Sequence, residues 1–219
     1  MRHQVVVTGC AVALFLSRSV AAETIYESGT LGPTGISRDE LLSQTVLGAN
    51  VASFNFVGVR FQVSQNVEAS RVGGHFVGGF SDTSFFCAII QLTDELDFPN
   101  SLDLSTPDVV GTSLLTFPES SDDVFGSLSV DLQPGWYAVV FGSGLFGATG
   151  RGGALANNAD IASPSYIVGQ SDGEWFNRST LTLVKGGFRF VVEGRIIPEP
   201  SSLALVLGAL LLAAPRRRR

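Results

Sequence analysis

The chain has 219 residues, 45% of them hydrophobic and only 16% charged, with a formal net charge of −6. It is too apolar and too sparsely charged to be disordered, and 16 Phe and 25 Gly describe strands and turns rather than helices. Without the six arginines near its two ends, residues 23–197 hold 8 basic and 19 acidic residues, about −11 overall. That excludes a basic nucleic-acid footprint and leaves cations and neutral or polyhydroxylated partners open.

Residues 1–22 have the layout of a secretory signal peptide. Arg2 is the positive start, 5–16 is an apolar stretch, and Val20-Ala21-Ala22 suits cleavage before Glu23. The apolar stretch is short for a membrane span. Only three apolar residues precede Cys10, which speaks against a lipoprotein signal.

A short helix is expected at 37–43, with Ser37 as N-cap and Glu40 at N3. From 53 to 63 the sequence alternates, with Phe54 and Phe56 on one face and Val57, Val59, Phe61 and Val63 on the other. The change of phase beside Gly58 predicts a bulge. Residues 84–92 are almost continuously apolar, as in a strand covered on both faces. Further strands are expected at 113–117, 124–132, 136–141 and 181–192, with turns at 97–100, 118–121, 133–135 and 185–187. This spacing predicts an all-β fold, a single β-sandwich or jelly-roll-like domain over 23–197. Removal of the leader leaves Cys87 without a partner for an internal disulfide, and its apolar surroundings predict a buried, inert thiol.

The C-terminus reads Pro198-Glu199-Pro200, an apolar run at 203–214 expected as a short helix, Pro215, then Arg216, Arg217, Arg218 and Arg219. The prolines end the preceding strand and impose an extended linker. The apolar run partitions into lipid and the arginines stay on the cytoplasmic side. These parts in this order, over 198–219 and behind a signal peptide, closely resemble the PEP-CTERM protein-sorting tail of Gram-negative bacteria. The resemblance implies export by the secretion machinery, then processing near Pro198-Glu199-Pro200 by an exosortase, a membrane protease-like enzyme, and passage to the exterior. Residues 201–215 would reach roughly 22 Å as a helix against a bilayer core of ~30 Å, which favours a transient anchor over a permanent one. The stretch 134–150, with Asn157-Asn158, Pro164-Ser165-Tyr166 and 188–194, is similar to a pattern in PEP-CTERM surface proteins. That implies an extracellular β-domain and no particular activity.

Residues 142–147 spell G-x-G-x-x-G after a strand-like run, but the glycines at 150, 152 and 153 oppose the helix that dinucleotide binding requires. His75 is the sole histidine of the mature chain and reads as structural or surface; Ser-His-Asp chemistry and zinc lack an inventory. Asp94, Glu95, Asp97, Asp122, Asp123, Asp172 and Glu174 supply loop carboxylates for glycoside hydrolysis, which needs two across a cleft. Residues 93–97 and 120–123 are the places for a structural calcium, without an EF-hand pattern. Trp175 is the candidate sugar platform, while Trp136 reads as core. The expectation is therefore an exported cell-surface or extracellular-matrix protein, non-enzymatic, without a cofactor, and associated by resemblance with extracellular polysaccharide. The alternatives are a glycan-binding module at Trp175 and a carbohydrate-active enzyme using loop carboxylates.

Overall fold

The computed structural model describes residues 22–43, 48–53, 55–78, 83–158, 160–161, 164–170, 173–178 and 187–198. Residues 1–21 of the expected leader, the expected apolar run and arginines at 203–219, and residues 181–186 of the last expected strand lie outside these. Along the described residues the elements are β1 (Glu23–Glu27), α1 (Arg38–Leu42), β2 (Gly48–Val51), β3 (Phe56–Val63), β4 (Val67–Gly78), β5 (Ser84–Leu92), β6 (Val109–Thr116), β7 (Asp122–Leu132), β8 (Gly135–Gly142), β9 (Gly152–Leu155), β10 (Ser165–Gly169), β11 (Trp175–Asn177) and β12 (Phe190–Ile196).

The strands make two antiparallel sheets. The first runs β1-β12-β4-β9-β2, with β7 on the opposite edge of β4; the second runs β11-β10-β3-β8-β5-β6. The fold is an all-β sandwich, as the spacing of strands and turns predicts. Alternation places Val57, Val59, Phe61, Phe85, Cys87, Ile89, Val139 and Phe141 of the second sheet inward, against Val72, Phe76, Phe190 and Val192 of the first. The rings of Phe76, Phe85, Phe141 and Phe190 meet at centroid distances of 4.7 to 4.9 Å in the closest pairs, a favourable spacing for tilted aromatics.

A second core lies on the outer face of the second sheet. Phe56, Phe86, Ala88, Ile90 and Val140 are roofed there by Leu104, Phe98 and Leu102 of the connection 93–108 and by Trp175. So β5 is buried on both faces, in agreement with its unbroken apolar run.

The same second core corrects the reading of Gly58. No bulge occurs there: β3 keeps regular register with β8 over 57–63 and with β10 over 56–60. Apolar residues change phase because both faces of β3 are covered, not because the strand slips. Gly58 is required for closeness, since a Cβ would stand 2.5 Å from the Val139 carbonyl oxygen. The helix α1 forms where expected, and Ser37 and Glu40 close a capping box. Leu41 of α1 seats over Gly48 and Gly153, where any side chain would collide with it.

The ends of the domain converge. Glu23 pairs with Gly194 across β1 and β12, and Ile196 pairs with Val67 at the start of β4. The chain therefore enters and leaves at one pole, which it shares with the β3–β4 turn.

Candidate functional site

The residues singled out by the sequence do not gather at one place. Ile197 donates its N–H to the Asn66 carbonyl (2.8 Å), and Pro198 follows, exposed, where the chain leaves the sheet. Glu199, Pro200, Arg216, Arg217, Arg218 and Arg219 lie outside the described residues. Trp175 is half-buried: its ring leans on Phe56 at 6.2 Å between centroids, and its indole N–H donates to the Ser101 carbonyl at 3.3 Å. Much of its face is thus used in packing. Trp136 is likewise half-buried against the outer core.

The loop carboxylates mostly serve their own turns. Asp94 accepts from the Leu96 N–H, and Asp97 accepts from the Thr93 N–H and hydroxyl and from the Phe98 N–H, each at 2.8 Å. These are bonds that stabilise turns. Burial works to raise the Asp97 pKa, but the bonds from Thr93 and Phe98 and the nearby Arg60 charge outweigh it and hold it below the usual carboxylate range. Asp123 pairs with Arg189 at 2.9 Å, and burial pushes its carboxyl above that range despite Arg189 and His75. Asp172 lies outside the described residues, and Glu174 is exposed. No cluster of three or more His, Cys, Asp or Glu occurs at metal-binding distance among the described residues.

His75 is buried on the outer face of the first sheet. Its Nδ1 lies 2.8 Å from Asn157 Oδ1, which also accepts the Gly32 N–H at 2.8 Å, while Asn157 Nδ2 donates to the Leu155 carbonyl. Asn157 Oδ1 can only accept, so Nδ1 carries the proton. Asn157, held by the imidazole, thereby pins the segment after β1 at Gly32. Cys87 is fully buried, and burial pushes its thiol well above its ordinary value.

A polar cleft lies at the pole opposite the chain ends, and it was missed by sequence reasoning. β3 begins there at Phe56, β8 ends at Gly142, β10 ends at Gly169, and β9 begins at Gly152. The cleft holds about 550 Å³, within the ~300–1,000 Å³ range of small-ligand sites. Its lining is polar, with Asn50, Ser53, Asn55, Thr149, Arg151 and Gln170 around it. Among the described residues its lining includes no carboxylate and no aromatic ring.

Backbone bonds fix these walls. Asn55 Nδ2 donates to the Asn50 carbonyl at 2.8 Å, the Ser143 N–H to the Ala52 carbonyl at 3.3 Å, and the Gly150 N–H to the Ser84 carbonyl at 2.7 Å. The glycine motif at 142–147 is part of this scaffold. No helix follows it. Gly144 has φ +85°, and a Cβ there would stand 2.4 Å from the Ser53 hydroxyl. The motif is thus a tight turn that lets Ser53 and Ser143 pair, not a phosphate cradle. Ser143 is 1% exposed, and its Oγ has no hydrogen-bond partner among the described residues.

No protein-family model matches the chain, and no curated protein matches it. What the geometry defines is a class: a two-sheet β-domain with its chain ends at one pole and a polar cleft at the other.

Proposed function

We propose that this chain is an exported cell-surface or extracellular-matrix protein, delivered by its leader and sorted through the PEP-CTERM-like tail at 198–219. The observation that carries the reading is the pairing of Glu23 with Gly194, with Pro198 exposed just beyond β12. A leader and a tail attached there both leave from the same pole, so the folded domain does not obstruct a membrane enzyme working at Pro198-Glu199-Pro200. The strand before the prolines is anchored in the sheet, and the exposed Pro198 is the last described residue after it.

The test is expression of the full chain in a Gram-negative host that encodes an exosortase, beside a variant with Pro198, Glu199 and Pro200 all changed to Ala. The expected result is extracellular, shortened wild type and a full-length variant retained in the envelope. Identical fractionation and length for the two would overturn the reading.

A further inference from the structure

We propose that His75 and Asp123 bind one proton between them in mild acid, and that this proton tightens the outer face of the first sheet. The inference goes beyond the export reading and does not rest on it. It stands on two buried acceptor atoms, on neighbouring residues, that have no hydrogen to share.

The first acceptor is His75 Nε2. The residue is 1% exposed, and its Nδ1 proton is committed to Asn157 Oδ1 at 2.8 Å. In the neutral ring Nε2 is then a bare lone pair. It has no hydrogen-bond partner among the described residues. The second acceptor is Asp123 Oδ1, a buried atom likewise without a partner. His75 on β4 and Asp123 on β7 are paired directly across the sheet. The side chains of such a pair leave the sheet on one face, with Cβ atoms ~4.5–5.5 Å apart. Each unmet acceptor costs stability where water is excluded. A single proton from solvent, held on Nε2 and donated to Oδ1, completes both and sets an imidazolium against a carboxylate.

The charges around the pair favour that proton. Arg189, whose carbonyl accepts the His75 N–H at 3.1 Å, lies between two carboxylates, 2.9 Å from both Glu27 Oε1 and Asp123 Oδ2. Together the three side chains carry one excess negative charge, which the proton cancels. Asp122, next to Asp123 on β7, adds another negative charge. The segment 28–37, reached through Asn157 and Gly32, carries no ionisable side chain. Asp160 is engaged with Thr30. Further along β4 and β12, Arg71 pairs with Glu193 and Glu68 with Arg195. Burial opposes charge on either member of the pair, and it raises the Asp123 carboxyl above its ordinary range, so the two titrate as a unit. The proton has a way in, because the Asp123 side chain keeps 20% of its surface exposed.

The consequence is a fold that tightens in acid. With both ring nitrogens engaged, β7, β4 and Asn157 are tied in one line, and Asn157 holds Gly32 at 2.8 Å. The unfolded chain lacks this pairing, so the folded state binds the proton more tightly. That contribution is present at pH values below the pair's midpoint and lost as pH rises through it.

The experiment uses the purified full chain in detergent with His3→Gln, which leaves His75 as its only histidine. Nitrogen-15 NMR of the ring follows the proton, and urea unfolding at about pH 8 and about pH 5.5 follows stability. The Nδ1–H tautomer is expected at the higher pH, and a second ring proton on Nε2, in slow exchange with water, at the lower. One unit of difference in proton affinity makes the folding constant about tenfold larger at the lower pH. Asp123→Asn should lower the His75 midpoint by about one unit. His75→Asn keeps an N–H donor for Asn157 but takes up no proton, so its folding constant should differ by less than about twofold between the two conditions. An unchanged His75 midpoint in Asp123→Asn overturns the proposal, as does a parent chain whose folding constant is equal or smaller in acid. The parent also decides alone: an Nε2 that gains no proton by about pH 5.5 sinks the idea whether or not the variants fold.

Discussion

Arg60 is 2% exposed in the second sheet, and four of its five guanidinium N–H groups donate. Its Nε donates to the Asp97 carbonyl at 2.6 Å, Nη1 to Ser165 Oγ and Asn177 Oδ1, and Nη2 to the Leu96 carbonyl, while its plane lies 4.4 Å from the Phe98 ring centroid. One guanidinium thus holds the turn at 93–98 and the edge strands together, and burial lowers its pKa. Asp97 shares this node. Its folded pKa is depressed, so its charge contributes stability that is present above the unfolded value of ~3.9 and lost as pH falls through the folded one. Asp97→Asn should therefore unfold at lower denaturant than wild type at pH 7, and the gap should close below about pH 4. Urea midpoints across pH measure this; a gap independent of pH would refute it. Cys87 yields a second outcome. Its buried, protonated thiol should ignore an alkylating reagent in the native protein and react on unfolding, as mass spectrometry would record. The inertness of Cys87 and the cap at Ser37 were legible because each depends on neighbours within four residues. The Arg60 node was not, because its partners lie 36 to 117 positions away.

At the scale of elements, β5 is the strand whose two faces meet two different cores. Ile89 points into the space between the sheets and Ile90 into the roofed outer core, both fully buried. Ile89→Ala and Ile90→Ala should each cost about 2–5 kcal/mol in chemical denaturation. On the neighbouring β6, Leu114 is 56% exposed, and Leu114→Ala should change stability by no more than about 0.5 kcal/mol. A small loss at Ile90 would mean that the roof over 93–108 packs loosely. β5, β7 and β8 were readable since their apolar residues run together or alternate. β4 was not, although it is the 12-residue strand that joins β12, β7 and β9. Its sequence VEASRVGGHFVG places Gly73 and Gly74 where neighbouring backbone leaves no space for a Cβ, and its charges face cross-strand partners such as Glu193 on Arg71. Neither requirement produces a hydrophobic period. The short strands β9, β10 and β11 lack the length for one.

For the whole molecule, composition and strand spacing indicate two sheets but not which ends of them meet. The distal cleft is assembled from 50–53, Asn55, 143–151 and Gln170, segments brought together by the register of β3 with β8 and β10 and of β2 with β9. No local motif marks it, and the glycine run at 142–147 nearby reads only as a glycine-rich loop leaving a strand. The register of β12 with β4 and β1 sets the mechanical character of the domain. A load between the distal pole and the chain beyond Pro198 runs along β12, whose hydrogen bonds to β4 and β1 lie across the pull. Those bonds are strained in shear, together rather than one after another. Tension applied through the chain beyond Pro198 is therefore resisted far better than it would be if β12 peeled from an edge.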